Sequence, residues 1–486
     1  MRGTYPPRGS VASGWPFSGM LALSVRGFFT GLRSRDYTRG RLLSSLLALA
    51  LPMVAGSLAI GVVFQIVDLA FLSQLGEGPL AAVIMVNQTV WQVVTMAMMG
   101  MNFATQSLIA RAIGAEQEDG AEHFGGQALV MAAIVSALVA GAGFFFPEQL
   151  FGLARPDDSF VDLGVSYFQV LAILSFGFIG SIMFRAILVG AGDTVTPLFA
   201  NLVQVVVALF LEWVLIFGNL GAPALGVVGV ALAISIGQWA ALAVGLTVLF
   251  RGSARVRLRA RHLVPDPSAL LMILRNAWPP ALQMMGMVVT TFAFLRLAGD
   301  FGPTVQTAYS IGLRLGMIVP AFSFPLATAC ATLVGQALGA GNVPRAWRAI
   351  GTGVLVHGSV MWTFAAVILV FRRELLGLIT ADPEVIEVGS EFLVFSSAAF
   401  GLMGFNLVAM RALQGAGDFI VPMLISVVGT LGVGIPSAYW LAETMGPTGI
   451  WTGSLLGTAF STLATGAWLA TGRWTRVGAA APARAA

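Results

Sequence analysis

The sequence predicts an all-α polytopic membrane protein of twelve transmembrane helices in two pseudo-symmetric six-helix lobes. Three observations carry this. The 486-residue chain is 57% hydrophobic and only 10% charged, against about 45–50% and about 25% in a soluble domain. Twelve apolar runs are long enough for a hydrocarbon core, which takes about 20 helical residues. The chain also repeats itself: "VGAGDTVTP" (189–197) returns as "QGAGDFIVP" (414–422).

In chain order the runs are 44–73, 79–110, 122–146, 158–189, 194–219, 226–250, 268–298, 303–337, 345–371, 384–413, 419–443 and 447–471. Short Gly, Pro and Asp breaks separate them. Lipid leaves a spanning backbone no water to bond to, so each run is read as a helix. The longest are expected to tilt, kink or extend past the bilayer. In the first, Pro52 removes a backbone hydrogen bond, so a kink is expected.

Arg sets the orientation. All 26 basic residues are Arg. Arg26, Arg33, Arg35, Arg39 and Arg41 precede the first run; Arg251, Arg255, Arg257, Arg259 and Arg261 fill the one long internal loop; Arg473, Arg476 and Arg484 lie in the tail. With twelve spans all three segments share one side, taken as cytoplasmic, in a multi-pass protein of the plasma (inner) membrane. The opposite loops carry only Arg155, Arg372 and Arg373. The loop arginines thus read as a topology anchor beside anionic headgroups, and no nucleic-acid partner is expected. Cys330 is the single cysteine, so no intrachain disulfide forms. No CxxC, HExxH or GxxxxGK[ST] occurs. Residues 1–35 make a poor signal peptide, lacking a clean apolar core and cleavage site. A cytoplasmic arm over 1–40, or a later start at Met20, is expected.

The long loop divides the chain into an N-lobe (41–250), the loop itself (251–267), a C-lobe (268–472) and a tail (473–486). "LIARAIGA" (108–115) matches "LVGQALGA" (333–340), and "LGVVGVA" (225–231) matches "MGPTGIW" (445–451). This is a tandem duplication of a six-helix unit. Six is even, so both copies insert the same way up, and a substrate is expected between them. "GAGD" reads as a tight turn between the fourth and fifth helices of each half, with Arg185 or Arg411 just before it on the cytoplasmic side. Gly ends one helix left-handed, Asp caps the next and Pro tolerates its first turn. A conformational hinge is the other reading of the phrase.

An ionisable group inside a span costs about 2.5–3.5 kcal/mol on insertion scales, and is a functional candidate for that reason. Asp68 in the first span and Glu212 in the fifth are the two mid-span acids. Helical spacing puts Ser57, Gly61, Gln65 and Asp68 on one face, and Asn201, Gln204, Ala208 and Glu212 on another. The second span adds Asn87, Gln88 and Gln92. A buried carboxyl can take a proton on one side and lose it on the other, and two in one cavity would couple their titrations. The alternative is that both acids merely fix helix packing. The second half has no mid-span acid; it has Arg296 and Arg314, with Glu391 near the start of the tenth span. Tyr309, Arg314 and Asn406 are candidate cavity residues there.

"DYTRGRLLSSLLALALP" (36–52), "VDLAFLSQLG" (67–76), "GAGDTVTP" (190–197), "LIFG" (215–218) and "ATLVGQALGAGN" (331–342), on a duplicated six-helix plan, resemble the multidrug and toxic compound extrusion (MATE) transporters over about 36–471. The resemblance implies two lobes around a central cavity, alternating access, and export of amphipathic, often cationic compounds by H⁺ or Na⁺ antiport without a bound cofactor. It matches Asp68 to the family's first-helix carboxylate. Glu212 falls where a DinF-like branch of this wider lipid and polysaccharide flippase superfamily has an Asp. That branch has an Asn one turn earlier; Ala208 here offers a sodium ion no oxygen, which tilts the expectation toward protons. The acids that other branches carry in the seventh and tenth helices are missing. A monomer is expected, with a small organic molecule and the bilayer as partners. A flippase for a lipid-linked saccharide is the second reading, kept open by Arg296 and Arg314. An intramembrane protease would need an Asp after a Tyr, a pair that does not occur, so no enzyme is expected.

Overall fold

The computed structural model describes residues 37–152, 160–252, 255–316 and 319–479. The expected arm up to residue 36, Met20, Arg155 and Arg484 lie outside these. The first half holds α1 (Leu42–Ser73), α2 (Glu77–Gly114), α3 (Glu118–Phe145), α4 (Val161–Ile173 and Ser175–Ala191, bent by 50°), α5 (Val195–Phe217) and α6 (Gly226–Arg251). The second holds α7 (Pro267–Asp300), α8 (Pro303–Gly316 and Val319–Gly339), α9 (Val343–Val370), α10 (Pro383–Gly415), α11 (Ile420–Met445) and α12 (Pro447–Ala470). Ten are long and apolar enough to cross a membrane, eleven with the bent α4 counted as one. The twelfth, α12, has 24 residues diluted by Gly, Ser and Thr. Large apolar side chains such as Ile66, Leu138, Val206, Phe292, Leu355 and Trp440 stand exposed, as a lipid-facing surface requires.

The lobes exchange their first helices. The start of α1 (Leu46, Leu49, Ala50) is buried with Leu326 and Leu333 of α8 and Ala346 of α9. The start of α7 (Ala269, Ile273, Ala277) is buried with Phe103 and Ile109 of α2 and Met183 of α4. Each helix ends at home: Leu72 with Val86, Tyr167 and Ile216, and Phe294, Leu297 and Ala298 with Phe392 and Trp451. Pro52 and the pair Pro279–Pro280 lie between the two portions. The lobe boundary set at 267/268 on the sequence therefore runs through packing that both lobes share.

Helix α1 continues through Pro52 and turns π-helical at Ala59–Phe64. Such a turn bonds i to i+5 and shifts the phase of the residues beyond it.

At the end carrying the interlobe loop, α2 and α8 clasp the lobes together. A Cβ on Gly114 would stand 2.1 Å from the Gln336 carbonyl oxygen, and one on Gly339 2.1 Å from that of Arg111. These are the matching glycines of "LIARAIGA" and "LVGQALGA": only Gly lets the backbones approach so closely. Gln106 Nε2 donates to Thr332 Oγ1 (2.8 Å) and Thr328 O (3.1 Å), Ser107 to Gly415 O (3.0 Å), Gln336 to Gly190 O (3.1 Å). Arg411 donates to Gln106 Oε1 at 2.9 Å and lies 3.5 Å over the Phe103 ring.

The repeated phrases are turns built into this clasp. Gly192 and Gly417 adopt φ +93° and +91°. Asp193 Oδ1 accepts from the Val195 and Thr196 amides at 3.0 Å; Asp418 accepts from the Val421 amide (3.4 Å) and from Trp468 Nε1 (2.8 Å).

The interlobe loop is docked on the N-lobe. Val256 and Leu258 point inward and are buried, while Arg257 and Arg259 face out. Gln127 of α3 donates to His262 O (3.0 Å) and Val264 O (2.7 Å) and accepts from the Asp266 amide (2.9 Å). His123 meets Asp266 at 2.9 Å. Asp119, Glu122 and His262 bring their ligand atoms within 4.8 Å of one another, and Arg261 donates to both Asp119 and, at 2.9 Å, His262 Nε2. Burial holds the His262 imidazole below its ordinary pKa. Hydrogen bonding, chiefly from the Ser268 side chain, holds the Asp266 carboxyl at about 2.

Candidate functional site in the N-lobe

The site begins with small residues. Gly56 of α1 lies against Asn201 of α5, where an added Cβ would come within 2.7 Å of Asn201 Nδ2. The same construction on Gly237 of α6 would meet Ala208 at 2.9 Å. These two contacts lock α5 between α1 and α6, and they aim Glu212 at Asp68.

Glu212 is fully buried and Asp68 half-buried. The two carboxyl groups face each other within hydrogen-bonding reach. No N–H or O–H donor of the described residues reaches either Glu212 oxygen or Asp68 Oδ1. Two carboxylates so placed cannot both be ionised at tolerable cost, so a shared proton satisfies the geometry.

Asp68 opens onto a cavity of about 280 Å³ enclosed by α1, α2, α4, α5 and α6. Drug-sized pockets run to about 300–1,000 Å³, so this one takes a compact molecule. Its polar lining is Gln65, Asp68, Asn87, Arg185, Gln204 and Gln238. Asn87 donates to the buried Tyr167 hydroxyl at 3.3 Å. Apolar walls come from Ile60, Phe64, Trp91, Leu171, Phe178 and Ile234, with Trp91 and Phe178 5.3 Å apart.

The stripe expected on α1 enters only in part: Gln65 and Asp68 line the cavity, but Ile60 and Phe64 stand where Ser57 and Gly61 were expected. The π-turn at 59–64 accounts for this, because it breaks the 3.6-residue period on which the stripe rests. On α5, Gln204 lines the cavity and Asn201 reaches it through Arg185, accepting from Nη1 at 2.8 Å. Gln88 is exposed and Gln92 half-buried, both outside the lining.

The C-lobe candidates do not join this site. Tyr309 stacks on Trp451 at 5.5 Å and packs edge-on to Phe392. Asn406 accepts from Thr465 at 3.0 Å. Arg296 and Arg314 are exposed, and Glu391 accepts from Thr448.

Sequence reasoning missed Arg185, Tyr167, Trp91 and Gln238. Arg185 stood just before a turn and read as a flank. A basic residue inside the apolar run 158–189 was itself the signal.

The MatE family pattern matches residues 53–214 and again 279–440, once in each half. The multidrug resistance protein NorM of Vibrio vulnificus is 26% identical over 85% of this chain and 92% of its own. The multidrug resistance protein PmpM of Pseudomonas aeruginosa is 25% identical over 85% and 88%. A solved outward-facing conformation of a multidrug resistance MATE family transporter of the MOP superfamily superposes with TM-score 0.81 at 23% identity, covering 91% of this chain and 98% of that one. With one family unit in each lobe and the matching fold around them, this chain belongs to the MatE family.

Proposed function

We propose that this protein exports small organic compounds in exchange for a cation, protons rather than sodium, with Asp68 and Glu212 holding the coupling ion. The observation that carries the reading is the facing pair itself: two carboxyls inside the bilayer, each the other's partner, one enclosed and one opening on a cavity. Loss of the shared proton leaves two like charges in an apolar setting, a state that an incoming cationic substrate relieves. Proton and substrate then compete for one site, as antiport requires. Ala208, one turn before Glu212, offers a methyl group where a sodium ion would need an oxygen. The names of the two relatives support a multidrug substrate range.

The clasp closes the end that the arginines assign to the cytoplasm. Alternating access then consists of breaking the clasp while closing the far end. The protein works as a monomer in the plasma membrane with both termini cytoplasmic. The flippase reading draws no support from the cavity, which Arg296 and Arg314 do not line.

The test is reconstitution in liposomes with a fluorescent cationic dye under an imposed pH or sodium gradient. A pH gradient drives the dye in the wild type, and Asp68→Asn abolishes coupled movement while its thermal unfolding stays near wild type. Undiminished transport by that variant would sink the assignment. Dye movement on a sodium gradient alone would overturn the proton preference. Scrambling of a lipid-linked saccharide with no dye movement would establish the flippase instead.

A further inference from the structure

A second set of ionisable groups lies away from the cavity, at the end carrying the interlobe loop. Asp119 and Glu122 stand three residues apart on one face of α3, and His262 comes down on them from the docked loop. His262 Nε2 lies 3.6 Å from Asp119 Oδ1 and 3.7 Å from Glu122 Oε2, and the three ligand atoms all fall within 4.8 Å of one another. The first two spacings are too long for hydrogen bonds. They are close to the ~3.3 Å that separates two ligands on one tetrahedral zinc ion, whose bonds are about 2.0–2.1 Å. Two of the three ligands are held in place: the His262 side chain is only 4% exposed, and Glu122 Oε1 accepts from the Arg257 amide at 3.2 Å. Asp119, 76% exposed, is free to close the remaining gap.

A cation already sits where these groups converge. Arg261 donates to Asp119 and, at 2.9 Å, to His262 Nε2. Its hold on the imidazole is poor. The Arg259 amide also donates to this ring, at Nδ1 (3.3 Å), and a neutral imidazole has one accepting nitrogen, not two. The Arg261 side chain is 58% exposed and can withdraw into water. We propose that Asp119, Glu122 and His262 form a binding site for a divalent transition-metal ion, Zn²⁺ by its ligand chemistry, with Arg261 as the cation it displaces. One imidazole with two carboxylates suits zinc and its neighbours better than Mg²⁺ or Ca²⁺, which take oxygen ligands. Charge agrees: the two carboxylates carry two negative charges, which Arg261 halves and a divalent ion cancels. On binding, Nε2 gives its lone pair to the ion and the ring proton passes to Nδ1, which gives up the long Arg259 bond. Water completes the coordination on the exposed side. The ion then ties α3 to the loop just ahead of Pro267, fixing the root of α7 to the N-lobe. The site is independent of the export reading.

Zinc titration of tag-free, chelator-treated full-length protein tests this, with a fluorescent zinc indicator as competitor and Mg²⁺ as the comparison ion. The wild type takes up a single Zn²⁺ that millimolar Mg²⁺ does not displace, and zinc slows hydrogen exchange over the docked loop. Glu122→Gln and His262→Gln weaken zinc binding at least about tenfold, a loss that outer-shell groups alone can cause. Asp119→Asn, at an exposed position where folding is not at stake, does the same. Arg261→Gln moves the other way and tightens binding severalfold, which a merely structural cluster would not do. A wild type that binds no zinc overturns the inference. So does a zinc affinity unchanged in Asp119→Asn and Glu122→Gln, or weakened in Arg261→Gln, or matched by that for Mg²⁺. If His262→Gln does not fold, the Asp119 and Arg261 variants decide alone.

Discussion

Replacing Gly114 by Ala strikes the clasp at a single atom. The added Cβ would lie 2.1 Å from the Gln336 carbonyl oxygen and 2.7 Å from its carbonyl carbon and Cα. All three are backbone atoms of α8, so no side chain can swing aside. Ordinary contact needs about 3.4 Å, and the helices must part by about 1 Å. Overpacking of this kind costs about 1–3 kcal/mol. The cost falls on the closed clasp alone, so the ratio of closed to open forms should drop about 5- to 150-fold. Spin labels on Ala115→Cys and Ala340→Cys, the residues following the two glycines, report the separation. Gly114→Ala should transfer population from the short to the long distance, and Gly339→Ala, which meets the Arg111 carbonyl at 2.1 Å, should do the same. A distance distribution unchanged in a folded Gly114→Ala variant would refute the clasp as the closed gate.

The docked loop should loosen in acid. Asp266 sits at about 2 in the fold against an ordinary 3.8; its contribution is complete above about pH 4 and disappears as pH falls through 2. His262 is lowered from 6.5 by burial, so the undocked loop binds the proton more readily and docking begins to weaken below 6.5. Hydrogen exchange over 255–266, corrected for intrinsic rate, should accelerate in both windows; a flat profile would exclude the linkage. Asp266→Ala, which removes the cap on α7, should cost about 1 kcal/mol and accelerate exchange there at neutral pH. Cys330, fully buried between α8 and α9, should resist maleimide until the protein unfolds; fast labelling of folded protein would contradict this packing.

Much of the architecture was legible because it is periodic. The repeat located the turns and the lobe equivalence, since a duplicated motif displays itself as matching letters. Asp68 and Glu212 stood out because acids inside apolar runs are rare. What could not be seen was anything depending on helix phase or on distant partners. The π-turn at 59–64 rotated Ile60 and Phe64 into the cavity. The bend between Ile173 and Ser175 gave α4 two directions, so Tyr167 and Arg185 both reach the cavity from it. The loop looked like a free cationic stretch because its partners Asp119, Glu122, His123 and Gln127 lie more than a hundred residues earlier.

The exchange of first helices bears on how far the lobes can travel. Because the opening turns of α7 are anchored among α2 and α3, that helix cannot follow the C-lobe as a rigid rod. It can only act as a lever with its fulcrum near Pro279–Pro280, where two consecutive residues lack amide hydrogens. The arm beyond, residues 281–300, is about 30 Å long at 1.5 Å per residue. A swing of about 10° carries its tip about 5 Å, one helical turn. α1, with Pro52 near its own crossing, is the counter-lever from the other side. Two short arms pinned in opposite lobes would couple the halves in any motion that breaks the clasp.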